Sequence, residues 1–190
     1  MAAPAPSLPV TTDRLTLRRY LETDLDDLHR LHGHPDVARY MYWEPWSRGR
    51  AMEGLGRRMQ QSAIAHEGDV LDLAVVRTAD GVFLGEVHLQ NVSEQHRRAE
   101  IGFALHSANH GHGYAREAAT AMMRLAFETF GFRRVIGRCD ADNAASAGLM
   151  ERLGMRREAH EVESEFVKGV WTSEYEYAML AGEWASLAST

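Results

Sequence analysis

Leu15 and Leu17 alternate with polar neighbours in "RLTLRRY" (Arg14 to Tyr20), which predicts a strand. Thr23 or Asp24 then caps a helix carrying Leu25, Leu28 and Leu31 at helical spacing, ended by Gly33 and Pro35. "YMYWEPW" (Tyr40 to Trp46) reads as an aromatic-rich loop. A second helix is predicted from Arg48 to His66, with Met52, Leu55, Met59 and Ala63 on one face. Three strands follow. Val70 to Arg77 leads through a turn at Asp80-Gly81 into Val82 to Gln90, where Phe83, Val87 and Leu89 share a face. In "AEIGFAL" (Ala99 to Leu105), Ile101, Phe103 and Leu105 lie on one face, and Glu100, Gly102 and Ala104 on the other.

The clearest helix runs from Tyr114 to Phe130, with Ala115, Ala118, Met122, Leu125, Ala126 and Phe130 as its buried stripe and Gly131 as its stop. Arg134 to Ala141 reads as a buried strand, and Asn143 to Gly154 as a short helix. Two strands close the chain, Met155 to Val167 and Trp171 to Leu180, joined by a turn at Lys168-Gly169. Strands dominate early and late around a central strand–helix–strand–helix unit. That is an α+β domain with a mixed, mostly antiparallel sheet.

Composition narrows the function. The 190 residues suit one domain, with a loose Ala/Pro-rich tail expected over residues 1–11 and the domain over 12–184. A net charge of -6 argues against a general nucleic-acid binder. The single cysteine, Cys139, can form no internal disulfide and suits a reducing cytoplasm. No apolar run is long enough to predict a membrane span.

"ANHGHGYAREAA" (Ala108 to Ala119) carries the candidate chemistry. Gly111 and Gly113 let the backbone take positive φ and approach a ligand closely. The loop sits between a strand end and a helix start, so its amides converge where the helix dipole is positive, and Arg116 can add a charged contact. The loop lacks the Gly-Lys-Ser/Thr ending of a nucleotide P-loop and the long dinucleotide glycine pattern. A metal site on His110 and His112 is the weaker reading, because no Cys or carboxylate stands at usual ligand spacing. No metal is expected.

These blocks resemble the GNAT superfamily of acyl-CoA-dependent N-acyltransferases. "AEIGFAL" resembles its central strand, "NHGHGYAREAATAMMRLAF" its pyrophosphate loop and helix, and "RVIGRCDADNAASAGLMERLGMRRE" its next strand and helix. "TDRLTLRRYLETDLDDLHRL" resembles the ribosomal-protein N-terminal (Rim-type) branch. The resemblance implies a GNAT-like sheet of about seven strands flanked by helices, with acetyl-CoA as cosubstrate in the gap where a bulged central strand splays from its neighbour. The pantetheine arm would pair with Phe103, Ala104 and Leu105. The diphosphate would sit on His110, Gly111, His112, Gly113, Tyr114, Ala115 and Arg116. Ala108 stands where the family usually has Gln or Arg. Asn143 matches a residue that bonds the arm or orders the site, and it also suits a plain helix cap. Ser146 matches the next signature position, near the CoA sulfur.

One departure matters. Met150 stands where many members carry the Tyr that protonates the leaving thiolate, which makes Ser146 the candidate for that task. The attacking amine must be a free base. At pH 7 that costs ~1.4 kcal/mol for an α-amine and ~4.6 kcal/mol for a lysine. Glu161, Glu163 and Glu165 alternate on one strand face. Glu165 precedes the "KG" turn, where the Rim-type branch places a catalytic Glu, and Glu100 is the other candidate base. Tyr42, Trp43 and Trp46 either line the acceptor side or pack as core.

The implied reaction is acetyl transfer to a primary amine by direct attack, with a protein N-terminus as the favoured acceptor. A small-molecule amine (aminoglycoside, polyamine or amino acid) and a non-catalytic acyl-CoA sensor are the alternatives. Family members often dimerise, so a homodimer is among the expectations.

Overall fold

In the computed structural model, which describes residues 6–187, eight strands build one sheet. They are β1 (Val10–Thr11), β2 (Leu15–Arg18), β3 (Val70–Arg77), β4 (Phe83–Ser93), β5 (Arg98–Leu105), β6 (Arg134–Asp140), β7 (Arg156–Val167) and β8 (Val170–Leu180). Their order is β1-β2-β3-β4-β5-β6-β8-β7. Only β5 and β6 pair in parallel; every other pairing is antiparallel. The sheet is thus mixed and mostly antiparallel. Its eighth strand is β1, whose Val10 and Thr11 pair with Leu17 and Thr16 although the sequence put them in the tail.

The helices are α1 (Leu25–His32), α2 (Pro35–Ala38), α3 (Arg48–Gln60), α4 (Tyr114–Arg124), α5 (Ala144–Arg152) and α6 (Ala181–Leu187). Their ends follow local chemistry. Gly33 stops α1 by donating its N–H to the His29 carbonyl at 2.7 Å. The Ser47 hydroxyl accepts from Arg50 N at 3.3 Å to open α3. After α4 the helix widens into a π turn over Leu125–Thr129, closed by Phe130 N–H onto the Leu125 carbonyl at 2.9 Å.

Two elements depart from the hydrophobic pattern. The helix expected to reach His66 stops at Gln60, and Ser62 instead bridges to Leu71 of β3. Met52 and Met59 are exposed; the inward stripe is Ala51, Gly54 and Leu55, continued by Arg58. In β4, a bulge against β3 between Val75 and Val76 breaks the alternation. Phe83 therefore packs on one face of the sheet, and Val87 and Leu89 on the other.

The two faces differ. One is a large apolar core in which Leu71, Leu73, Val75, Val87, Leu89 and Ile101 meet Ala118, Met122 and Met123 of α4 and Met150 of α5. The other packs against α1 and α3 and contains a buried charged cluster. Glu86 of β4 takes two hydrogen bonds from Arg58, Nε to Oε2 at 2.8 Å and Nη2 to Oε1 at 2.9 Å. The Tyr20 hydroxyl donates to Glu86 Oε2 at 2.7 Å, and His32 Nε2 donates to Oε1 at 2.9 Å. Asp72 Oδ2 lies 3.3 Å from Arg58 Nε. The Trp46 indole stacks on His32 with ring centroids 4.1 Å apart. Gly54 permits this, because a Cβ there would sit 2.5 Å from the Trp46 ring. Burial opposes the charge on Glu86, but Arg58 and His32 outweigh it and hold its pKa well below the usual range. Burial and the nearby Glu86 push Asp72 up to about 8, against the pull of Arg58.

Candidate active site

β5 and β6 pair only at Arg98–Arg134, Ala99–Val135 and Glu100–Ile136. Beyond that point β5 stays with β4 as far as Leu105, while β6 turns to β8 as far as Asp140. The strands splay, and Ile101 to Leu105 present an unpaired edge to the gap. The bulge expected in this strand lies in β4 instead: β5 keeps even register with β4 from Ala99 to Leu105. At Leu105 the two strands press close. A Cβ on Gly85 would lie 2.1 Å from the Ala104 carbonyl oxygen, so only glycine fits there.

A cleft of about 400 Å³ opens at the splay. Glu100, Phe103, Asn143, Ser146 and Glu165 all line it. So do Tyr42 and Trp43 from the aromatic loop, whereas Trp46 is buried against His32. The tip of the β7–β8 hairpin forms another wall. Its Lys168 ammonium donates to the Ala38 carbonyl at 2.6 Å, tying the tip to α2. Glu161 and Glu165 sit opposite Glu174 and Thr172 and so share a face. Glu163 does not join them in regular alternation. It lies in a bulge with φ 49°, and its N–H bonds the Ser173 hydroxyl.

Ala104 and Leu105 continue along β5 away from the cleft, and the glycine loop follows. Gly111 and Gly113 take φ of 79° and 80°, the left-handed region that glycine tolerates. The backbone N–H groups from Gly111 to Arg116 have no acceptor among the described residues, and α4 begins within that run. The histidines are not idle. His110 Nε2 donates to the Leu105 carbonyl at 3.0 Å, and His112 Nδ1 donates to the His110 carbonyl at 2.9 Å, so both rings hold the loop. Arg14 ties the loop to β2. It donates to the His112 carbonyl at 2.9 Å, pairs with Glu117 at 2.7 Å and lies over the Tyr114 ring. These residues suit a diphosphate: oriented amides at a helix start, with Arg116 in its first turn.

The electrostatics separate the cleft's acids. Asn143 caps α5, its Oδ1 accepting from Ser146 N at 3.1 Å. Burial pushes the Cys139 thiol up to about 11, against the pull of Ser146. Met150 is buried with its sulfur against Gly137, so no phenol enters from that position. Tyr42 offers a phenol, but burial and Glu174, which accepts its proton at 3.0 Å, raise it to about 12. Burial raises Glu100, and Arg138 at 3.8 Å works against that rise.

The sequence reading passed over His88. It pairs directly with Gly102 across β4 and β5 and lines the cleft. A Cβ on Gly102 would lie 2.2 Å from the His88 ring, so the imidazole occupies the space that a side chain at 102 would fill. The signal was present: a lone glycine inside a strand marks close approach by a neighbour.

A model of the acetyltransferase (GNAT) domain matches residues 14–156. The chain belongs to the GNAT acetyltransferase family. The uncharacterised N-acetyltransferase p20 of Bacillus licheniformis is 25% identical over 92% of this chain and 97% of its own length. Spermidine N(1)-acetyltransferase of Vibrio cholerae is 26% identical over 82% of this chain and 87% of that enzyme. The ribosomal N-acetyltransferase YdaF of Bacillus subtilis, itself assigned only provisionally, is 29% identical over 55% of this chain and 57% of its own length. In fold, a GNAT-family acetyltransferase from Bacillus anthracis superposes with a TM-score of 0.83 at 24% identity, covering 92% of this chain and 99% of that one. The Vibrio cholerae enzyme in complex with CoA and spermine gives 0.78 at 21%, with the same coverage. The chain is therefore an acetyltransferase whose family uses acetyl-CoA. Among the described residues no helix is long and apolar enough to cross a membrane.

Proposed function

We propose that the chain moves acetyl from acetyl-CoA to a primary amine in a ternary complex, with a protein N-terminal α-amine as the favoured acceptor. The observation that carries this reading is the unpaired edge of Ile101 to Leu105, which runs from the Ser146 cleft toward the free amides of Gly111 to Arg116. Acyl donor and acceptor then meet at the splay. The pantetheine arm follows Phe103, Ala104 and Leu105, with Asn143 beside it. The diphosphate takes the amides from His110 to Arg116. Ser146 steadies the departing thiolate, and Glu165 and Glu100 receive the acceptor's charge. An α-amine suits this site because its deprotonation costs only ~1.4 kcal/mol at pH 7. We assign the activity to one domain over residues 12–184, working in the cytoplasm.

A polyamine acceptor is the second reading. The spermidine N(1)-acetyltransferase aligns over more of this chain than the ribosomal relative does. The cleft also gathers Glu100, Glu165 and Glu174 beside Tyr42 and Trp43, a surface for a cation with an aliphatic stem.

The test is thiol release from acetyl-CoA with peptides bearing a free N-terminus and, separately, with spermidine. Release with peptides alone supports the first reading, and release with spermidine alone the second. Tight CoA binding with no thiol release for any amine would identify a sensor and sink both.

A further inference from the structure

His88 is the unused titratable group of the cleft. It makes no side-chain hydrogen bond among the described residues, and its ring nitrogens are not sealed from the cleft. Asp72, His88 and Gly102 form one row across β3, β4 and β5, and the row ends where β5 parts from β6. Because Gly102 has no side chain, the imidazole reaches over β5 into the gap. On the proposed reading, the thioester lies in that gap beside Ser146.

We propose that His88 is the general base that deprotonates the acceptor amine. The inference rests on the acetyl-transfer reading above. An entering ammonium passes one proton to the His88 imidazole, which releases it to water. The amine nitrogen then bonds the thioester carbonyl carbon. The C–S bond breaks, and the second proton of that nitrogen goes to the departing sulfur, with Ser146 alongside. The products are an amide, CoA thiol and one solvated proton.

The surroundings keep the imidazole ready to accept. Burial lowers its pKa from 6.5, Arg58 and His32 lower it further, and Glu86 works in the opposite direction. Asp72 pairs beside it from β3, and Glu100 from β5, Arg138 and Asp140 from β6, Arg39 beyond α2, and Glu165, Lys168 and Glu174 of the β7–β8 hairpin line the same cleft. A general base must be unprotonated before it acts, and a lowered pKa keeps the imidazole in that form near neutral pH. Glu165 and Glu100 then attract and orient the cation, and the imidazole takes its proton.

His88→Gln removes the base at nearly constant volume. Its kcat should fall by about 100-fold or more, with the acetyl-CoA KM changed less than about threefold. In the wild type, kcat/KM should fall on the acid side with an apparent pKa below 6.5, and that limb should vanish in His88→Gln but persist in Glu100→Gln. Added imidazole should restore part of the activity of His88→Ala, whose truncation opens space over Gly102. A His88→Gln kcat within about threefold of wild type, an acid limb that moves with Glu100 instead, or a folded but inactive His88→Ala that imidazole does not rescue would each overturn the proposal. A further readout needs neither acceptor nor variant activity. The His88 imidazole nitrogen resonances of the wild type should shift when acetyl-CoA binds, and unmoved resonances would overturn it even if every variant misfolds. The two readings fail separately, since wild-type turnover that survives loss of His88 sinks only this one.

Discussion

The two faces of the sheet are stabilised in opposite ways. Toward α4 and α5 the interior is methionine, alanine, leucine and valine, and its stability is the transfer of apolar area out of water. Toward α1 and α3 an arginine, two carboxylates, a histidine and a tyrosine are buried together, and each charge is tolerable only through its partners. The apolar face degrades gradually as atoms are removed. The charged face fails when one partner goes. The cleft at the splay is lined in part from the charged side, where His88 and Glu100 share a face with Glu86 and Asp72.

The sharpest way to break this contrast is Arg58→Met, which leaves Glu86 buried without its counter-charge. We expect a loss of about 3–5 kcal/mol in urea unfolding. Adding Glu86→Leu should recover most of it, whereas a double mutant as unstable as the single one would show that the pair is not the source. Met122→Ala on the apolar face should cost about 2–5 kcal/mol through its cavity. Because no charge is involved, that cost should be the same at pH 5 and pH 8.

Asp72 gives the charged face a pH signature. Its carboxyl rises from 3.8 unfolded to about 8 folded, so between those values the native state holds a proton that the unfolded chain lacks. Stability should therefore fall as pH rises through this window, by at most about 1.4 kcal/mol per pH unit for one proton. Glu86, depressed by Arg58, loses its contribution only at more acidic pH and does not confuse the test. Thermal melts of Asp72→Asn from pH 5 to 8 should be flatter than those of the wild type. The smallest effect tests the loop. Gly113→Ala at φ 80° should cost roughly 1–2 kcal/mol of backbone strain. That cost should appear mainly as a raised acetyl-CoA KM in steady-state kinetics.

The apolar face was legible because periodicity counts apolar residues. The bounds of β3 and the buried Ala118 and Met122 of α4 followed from it directly. The charged face was not, for the same reason. Arg58 in the inward stripe of α3 reads as solvent, so Met52 and Met59 took its place in the expected core. Position 85 hid a bulge that turns Phe83 away from Val87. In the cleft, the family resemblance pointed to Asn143 and Ser146 at the start of α5 and to Glu165 of β7, and all three line one cavity. It could not lead to His88, whose place depends on which strand lies beside Gly102. The bonds from the loop histidines to the Leu105 and His110 carbonyls were likewise not legible, because they depend on the fold of the turn.

The bare backbone at Gly102 has a consequence for how this chain can vary. A methyl group there would land 2.2 Å from the His88 ring and force it to swing aside. Positions 88 and 102 are therefore not independent letters. A larger residue at 102 displaces the ring at 88 from its place over β5, and a ring held there at 88 favours glycine at 102. Across divergent descendants the two sites should change together or not at all, as one epistatic unit split across neighbouring strands.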